Sequence, residues 1–259
     1  MNLDLDNFAS VGLLVVAMAL CVTSFNAIGT RMTSSKNHSS QYISHIESMQ
    51  NTLLGLLALV LGFTFSLALS RFENRSEAAA MEANSMGDVL ALAQLLPEAT
   101  RESMAAGVKR YIELRIEAGE YLVDSPERQS LLAATQVIQH EMWALAYEAA
   151  TQDSTARIEL FINAMVEMFD AFEARDAQLH RQVPQPVLWL LFITFLFSAG
   201  IIGYTAGLSR QRPSLAAGAF VLLILGLMVI IIDLDHPRNG LIVVDQSVFD
   251  NVHAAAKSL

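Results

Sequence analysis

The sequence predicts an all-α membrane protein with four transmembrane helices and a helical soluble bundle between the second and third spans. Three observations support this fold class. The 259 residues are 53% hydrophobic and only 16% charged, with a mean hydropathy of +0.41, a balance typical of membrane proteins. Long uncharged apolar runs alternate with polar segments. Between residues 71 and 186, apolar residues recur at the 3–4 spacing of helices.

Composition divides the chain into four parts. We predict two transmembrane helices joined by a polar link in residues 1–70, an acidic helical soluble domain in 71–186, a transmembrane hairpin in 187–233 and a tail in 234–259. The first apolar run, 8–29, follows a segment with no Lys or Arg. It is also longer than the core of a signal peptide, so we interpret it as a retained span. Residues 30–49 are rich in Ser, Asn and His, which indicates a solvated loop.

The second span is the segment around which the chain is organised. Residues 51–70 carry no charge, and about twenty helical residues at 1.5 Å each cross a hydrocarbon core of about 30 Å. One face of this helix is made mostly of small side chains. We call it the small-residue stripe: Gly55, Leu59, Gly62, Phe63, Ser66 and Ser70. The spacing of Gly62, Ser66 and Ser70 fits close helix packing. The same stripe also fits the lining of a pore, and the spacing leaves both interpretations open.

The second span continues into the soluble block without a helix-breaking residue, because no proline occurs between Arg71 and Leu96. Pro97 suits the start of the next helix, and Ser125 is a plausible N-cap for the one after it. Asp153 or Ser154 would cap the last. The helix that begins at Pro97 carries the 3–4 stripe Met104, Val108, Tyr111, Arg115, Ala118 and Leu122. Such stripes predict helices packed in a bundle.

The sequence lacks the features that would indicate an enzyme, a nucleic-acid-binding protein or a disulfide-stabilised protein. The sequence contains no Gly-rich phosphate loop, no Gly-x-Ser-x-Gly motif and no recognisable set of nucleophile, base and orienting group, so we predict that the protein is not an enzyme. A net charge of −10 argues against a nucleic-acid partner. The single cysteine excludes an internal disulfide framework.

The tail contains four acids, listed here as a candidate site for a hard cation held by oxygen ligands: Asp233, Asp235, Asp245 and Asp250. The alternative is a capped turn with solvated acids. We expect no cofactor, with Ca²⁺ as the one ion that these acids could bind.

Residues 60–74, Val-Leu-Gly-Phe-Thr-Phe-Ser-Leu-Ala-Leu-Ser-Arg-Phe-Glu-Asn, resemble the second transmembrane segment of bestrophin channels. In that family the segment reads Val-Leu-Gly-Phe, two residues, Ser or Thr, Leu, and then Arg followed by aromatics. The tail, with Pro237 and Gly240 before further acids, is similar to the bestrophin Pro-Phe-Gly-acid stretch that holds calcium in animal members. Over its full length the chain resembles a group of bacterial membrane proteins described as bestrophin-like.

This resemblance implies a homopentamer with a central pore lined by the second helix, a cytosolic helical vestibule and cytosolic termini. Phe63 matches one of three apolar neck rings, and the other two positions fall on Leu59 and Gly55. Gly55 departs from the bulky residues that bestrophins place there, so the constriction would be shorter or wider. The Pro-Phe-Gly stretch is one residue longer here, at 237–240, which argues against a calcium clasp.

These observations lead to two functional interpretations. The first is a homo-oligomeric bestrophin-like ion channel in a bacterial inner membrane, with lipid, small inorganic ions and copies of itself as partners. The second is a non-conducting membrane sensor or scaffold whose helical bundle binds a partner, the small-residue stripe serving only for packing. Basic residues in the loops are nearly balanced between the two sides, so they do not fix the orientation. The resemblance alone places the soluble block in the cytoplasm.

Overall fold

The computed structural model describes nearly all of the chain after residue 38. The described residues are 16, 19, 20, 23–25, 27, 28, 31, 39–152, 155–208, 215–235 and 242–257, and the side chains of 215–217 are not described. All secondary structure in these residues is helical. The predicted first span at 8–29 falls mainly outside them, and its described residues are helical. The predicted link at 209–212, the cap residues Asp153 and Ser154, and the turn at 237–240 lie outside the described residues.

Seven helices account for most of the described chain. They are α1 (Ser40–Ala93), α2 (Glu98–Glu120), α3 (Pro126–Gln152), α4 (Ala156–Leu179), α5 (Gln185–Leu208), α6 (Leu215–Asp235) and α7 (Ser247–Lys257). Three stretches within the described residues are long and apolar enough to cross a membrane, and they lie in α1, in α5 and in residues Gly218–Asp235 of α6.

Helix α1 begins earlier than the sequence predicts. It starts at Ser40, within the segment 30–49 that we interpreted as a loop, and this part of the prediction is wrong. The reason is a local cap: the Ser39 hydroxyl accepts a hydrogen bond from the Tyr42 amide at 3.3 Å, which satisfies one of the free donors of the first turn. At its other end α1 runs past the apolar span to Ala93, as the lack of proline predicts.

The chain forms two compact units. The first contains Met1–Arg71 and Gln182–Ile242, and the second contains Phe72–Arg181 and Val243–Leu259. In the first unit, α5 and α6 are the apolar helices that follow α4 in the sequence. The Tyr204 hydroxyl of α5 lies 3.3 Å from that of Tyr42 at the start of α1, where amphipathic aromatic rings suit a membrane interface.

The second unit is a helical bundle that includes the tail. Helix α2 packs against α3 and α7, and α3 packs against α4. The buried core draws on each of these helices and on the final part of α1, with Met86, Met104, Phe161, Met165 and Phe249 among its largest members. The predicted stripe of α2 faces this core from Met104 to Ala118, whereas Leu122 lies beyond the end of the helix and is half exposed.

Two of the predicted helix starts can be tested in this unit. The Ser125 hydroxyl accepts a hydrogen bond from the Arg128 amide at 3.2 Å, which confirms Ser125 as the N-cap of α3. Helix α4 begins at Ala156 and its N-cap position is Thr155, so the predicted cap at Asp153 or Ser154 is wrong.

Candidate functional site

The small-residue stripe lies on the surface of the protomer. All six of its residues are exposed, and the two largest, Leu59 and Phe63, have 56% and 69% of their area open. An exposed phenylalanine in the middle of an apolar helix must face lipid, another protein copy or a pore. The exposure of the stripe is therefore compatible with the pore lining that the sequence predicts.

The opposite face of α1 is the one that packs within the protomer. Leu57, Thr64 and Ala68 are nearly inaccessible, with 2%, 1% and 0% of their surface exposed. The Thr64 hydroxyl donates to the Val60 carbonyl at 2.7 Å, so this polar group is satisfied inside the helix. Over the same turns the helix therefore has one face that packs within the protomer and one exposed face, the small-residue stripe, which we call the free face.

Packing against the described residues does not require the glycines of the stripe. A Cβ atom built on Gly55 or on Gly62 would have nothing within 4 Å. Close helix packing of the small-xxx-small type needs a neighbouring backbone at that distance. Among the described residues no such neighbour lies against these glycines, so packing within the described part of the chain does not explain the stripe.

The acids of the tail do not gather into a metal site. Asp233 accepts a hydrogen bond from the Ile242 amide at 2.8 Å, and the buried Asp235 accepts one from the Val183 amide at 2.7 Å. Asp245 accepts from both the amide and the hydroxyl of Ser247, at 2.9 and 2.7 Å.

These contacts form an Asx-turn at the start of α7, which begins at Ser247. The hydrogen bonds from the backbone and side chain of Ser247 lower the pKa of Asp245.

Asp250 is exposed on α7. No group of three or more His, Cys, Asp or Glu residues suited to a metal occurs in the part of the chain that the structure describes. Three of these carboxylates already accept hydrogen bonds from backbone amides, so we do not propose a cation site in the tail.

The bundle contains a buried charge cluster that the sequence analysis missed. The Glu82 carboxylate of α1 has no exposed surface, and it lies between Arg115 of α2 and Arg175 of α4. Arg115 binds it in a bidentate manner, Nε to Oε1 at 2.5 Å and Nη2 to Oε2 at 3.2 Å. Arg175 donates from Nη1 to Oε2 at 2.7 Å. We call these three residues the charge cluster.

Aromatic rings and the tail complete the surroundings of the charge cluster. The guanidinium carbon of Arg115 lies 4.4 Å from the centre of the Phe172 ring, and that of Arg175 lies 4.5 Å from the Phe249 ring. These are favourable cation–π distances. Arg175 also donates from Nη2 to the side-chain oxygen of Gln246 at 3.0 Å.

The electrostatics of the charge cluster keep Glu82 ionised. Burial alone would raise the pKa of Glu82, but the two guanidiniums outweigh it and hold that pKa below its usual value. Burial, followed by the Glu82 carboxylate, raises the pKa of the neighbouring Tyr111. One signal in the sequence pointed to this cluster: Arg115 occupies a core position of the α2 stripe, where a charge needs a partner.

Comparison with known proteins places the chain among membrane proteins of one family. The profile of the Bestrophin-like domain matches residues 16–249. Two crystal structures of substituted forms of a bacterial bestrophin homologue from Klebsiella pneumoniae share its fold at 13% identity, with TM-scores of 0.69 and 0.68. They cover 95% and 93% of this chain and 98% of each of theirs.

A further crystal structure, of a substituted membrane protein, has a TM-score of 0.71 at 13% identity and covers 95% of this chain and 97% of its own. At such identities the likeness shows the fold alone. No curated protein matches the sequence.

Proposed function

Because the chain belongs to the Bestrophin-like family, we propose that it is a homopentameric ion channel of a bacterial inner membrane, whose pore is lined by the small-residue stripe of α1. The match to this family confirms the resemblance read from residues 60–74. Since bestrophins are channels, membership also supports the expectation that the protein is not an enzyme. The full arrangement would contain four spans, with the soluble bundle and both termini in the cytoplasm.

The observation that carries this proposal is the free face of α1. Six residues in register along about four turns are exposed, while the opposite face is packed. A symmetric ring of copies would place these residues around a common axis. The open space beside Gly55 and Gly62 then becomes the lumen, and Leu59 and Phe63 become two stacked apolar rings.

Two apolar rings suit a gate that works by dewetting, because a narrow hydrophobic constriction excludes water and ions until it widens. Gly55 adds no side chain one turn before Leu59. We therefore expect a neck with two rings in place of the three found in bestrophins.

The charge of the protein favours cations. The chain carries 26 acids against 16 bases, and most of the acids lie in the soluble block. A negative vestibule raises the local concentration of cations at the mouth of a pore. We expect cation permeation on this ground.

Flux measurements on purified protein in liposomes test the proposal. Wild-type protein should pass monovalent cations, and Phe63→Ala or Leu59→Ala should raise the basal flux several-fold by widening an apolar ring. Leu222→Ala is the matched control, because Leu222 on α6 is 70% exposed, as Phe63 is 69% exposed, but lies outside the stripe. Absence of flux in wild type and in both stripe variants would refute the channel.

The symmetry of the assembly provides an independent test. Single-particle images of the detergent-solubilised protein should show a fivefold ring with Phe63 at the axis. A dimer, or a ring with Phe63 turned toward lipid, would contradict the proposed pore.

A second candidate function is a membrane sensor or scaffold that does not conduct. Exposed aromatic side chains on the soluble bundle favour it, since Trp143 and Tyr147 of α3 are 48% and 72% exposed and lie one turn apart. Such residues are common at the centres of protein interfaces. In this case a bulky residue at Gly62 would disrupt assembly, while neither wild type nor any variant would pass ions.

A further inference from the structure

The tail helix α7 is built into the core of the bundle. Phe249 is 2% exposed and Ala256 is 6% exposed, and both belong to the buried core. Val244, Val248 and Val252 pack against the same core. The helix also packs on α2. The tail is therefore part of the second unit and adds apolar contacts to its core.

Arg175 is the polar link between this tail and the rest of the bundle. Its two terminal nitrogens serve different elements: Nη1 binds Glu82 of α1, and Nη2 binds Gln246, directly before α7. The Phe249 ring of α7 also packs against the Arg175 guanidinium, with 4.5 Å between the guanidinium carbon and the ring centre. One buried cation is thus shared between α1 and the tail.

The buried carboxylate of α1 is one of the two groups that this cation binds. Glu82 is fully buried, and every polar contact that we describe for it comes from Arg115 or Arg175. A carboxylate in such surroundings is tolerated only while its partners keep their geometry. If the tail released Arg175, the guanidinium would lose one acceptor and one ring face and would have to find other partners. The contact with Glu82 would then loosen.

We propose that Arg175 is a positioning residue that couples docking of the tail helix to the mobility of α1. The functional part of this inference rests on the proposed channel. Helix α1 is continuous from Ser40 to Ala93, and the small-residue stripe belongs to that same helix. A tail that holds Arg175 firmly would therefore steady the helix that carries Leu59 and Phe63. Loosening the tail should raise basal flux through the neck.

The test uses two substitutions in the full-length protein that weaken the hold on Arg175 without emptying the core. Gln246→Ala removes the acceptor, and Phe249→Leu keeps an apolar side chain while removing the ring face. Asn251→Ala is the matched control, because Asn251 is exposed on the same helix. Each protein is measured by hydrogen–deuterium exchange and by cation flux in liposomes.

We expect the double variant Gln246→Ala/Phe249→Leu to exchange about tenfold faster around Glu82, the factor expected from loss of one hydrogen bond and one cation–π contact. Exchange in the middle of α3 should match that of the control. Basal flux should rise several-fold. In an Arg175→Met background, Gln246→Ala should have no further effect on either quantity, because the coupling residue is already absent. A purely structural role for the tail would instead loosen α3 and α4 equally.

The outcomes separate this inference from the channel itself. Unchanged exchange around Glu82 in the double variant overturns the coupling, whatever the flux. Faster exchange there, together with silence of all proteins including wild type, supports the coupling and refutes the channel. Faster exchange with flux equal to that of Asn251→Ala shows that α1 is loosened without any effect on the neck, and it overturns the functional part of the proposal.

Discussion

Replacing Glu82 by glutamine should destabilise the bundle more than any other single change to a carboxylate. The glutamine keeps one oxygen acceptor, but its amide group turns donors toward a guanidinium. Arg115 and Arg175, only 2% and 3% exposed, are then buried without a compensating charge. Breaking a buried pair in this way costs about 3–5 kcal/mol. For a bundle of intermediate size, this lowers the unfolding midpoint by about 10–20 °C.

Thermal unfolding in detergent can measure this effect through tryptophan fluorescence. Trp143 lies in the bundle and Trp189 lies in α5, so a Trp189→Phe background reports on the bundle alone. Glu77→Gln is the control, because Glu77 is an exposed glutamate on the same helix. Adding Arg175→Met to the glutamine variant removes one uncompensated charge and should restore part of the loss. A midpoint for Glu82→Gln within about 2 °C of the control, a difference well under 1 kcal/mol, would refute the reasoning.

Three further predictions follow from local geometry. First, since the pKa of Glu82 is depressed in the folded state, its contribution to stability is present above its ordinary pKa of 4.5 and is lost as pH falls through the folded value; denaturant unfolding between pH 3 and 7 checks this. Second, Asp235→Ala leaves the buried Val183 amide without that acceptor and should cost about 1–3 kcal/mol in denaturant unfolding. Third, Gly62→Ala meets open space and should stabilise α1 by about 0.5–1 kcal/mol, whereas Gly107→Ala would lie 3.1 Å from Met142 Cγ and should gain less, as thermal midpoints will show.

Local signals in the sequence predicted much of the helical framework. The continuation of α1 past the membrane span follows from the lack of proline, and the cap at Ser125 follows from its position before Pro126. The α2 stripe faces the core because 3–4 spacing puts its members on one side of a helix. The early start of α1 was missed, because Ser39 is one of several serines in a polar segment and nothing in the composition distinguishes it.

The charge cluster could not be predicted in the same way. Arg115 and Arg175 lie 33 and 93 residues after Glu82, so only the tertiary fold brings the three side chains together. The small-residue stripe is the opposite case. Its members are adjacent on one helix and were found from spacing, but spacing does not determine what an exposed helix face contacts, so two interpretations were left open.

The partners of Glu82 in the charge cluster are synthesised later than Glu82 itself, and this affects how the bundle folds. Glu82 leaves the ribosome well before Arg115 and long before Arg175, and Gln246 emerges after all three. An ionised carboxylate does not enter an apolar core without its partners. This segment of α1 must therefore wait in water, or against a chaperone, until the later helices arrive. Ribosome-bound chains that end before α4 should accordingly leave Glu82 accessible, and the bundle can close around it only after α4 has emerged.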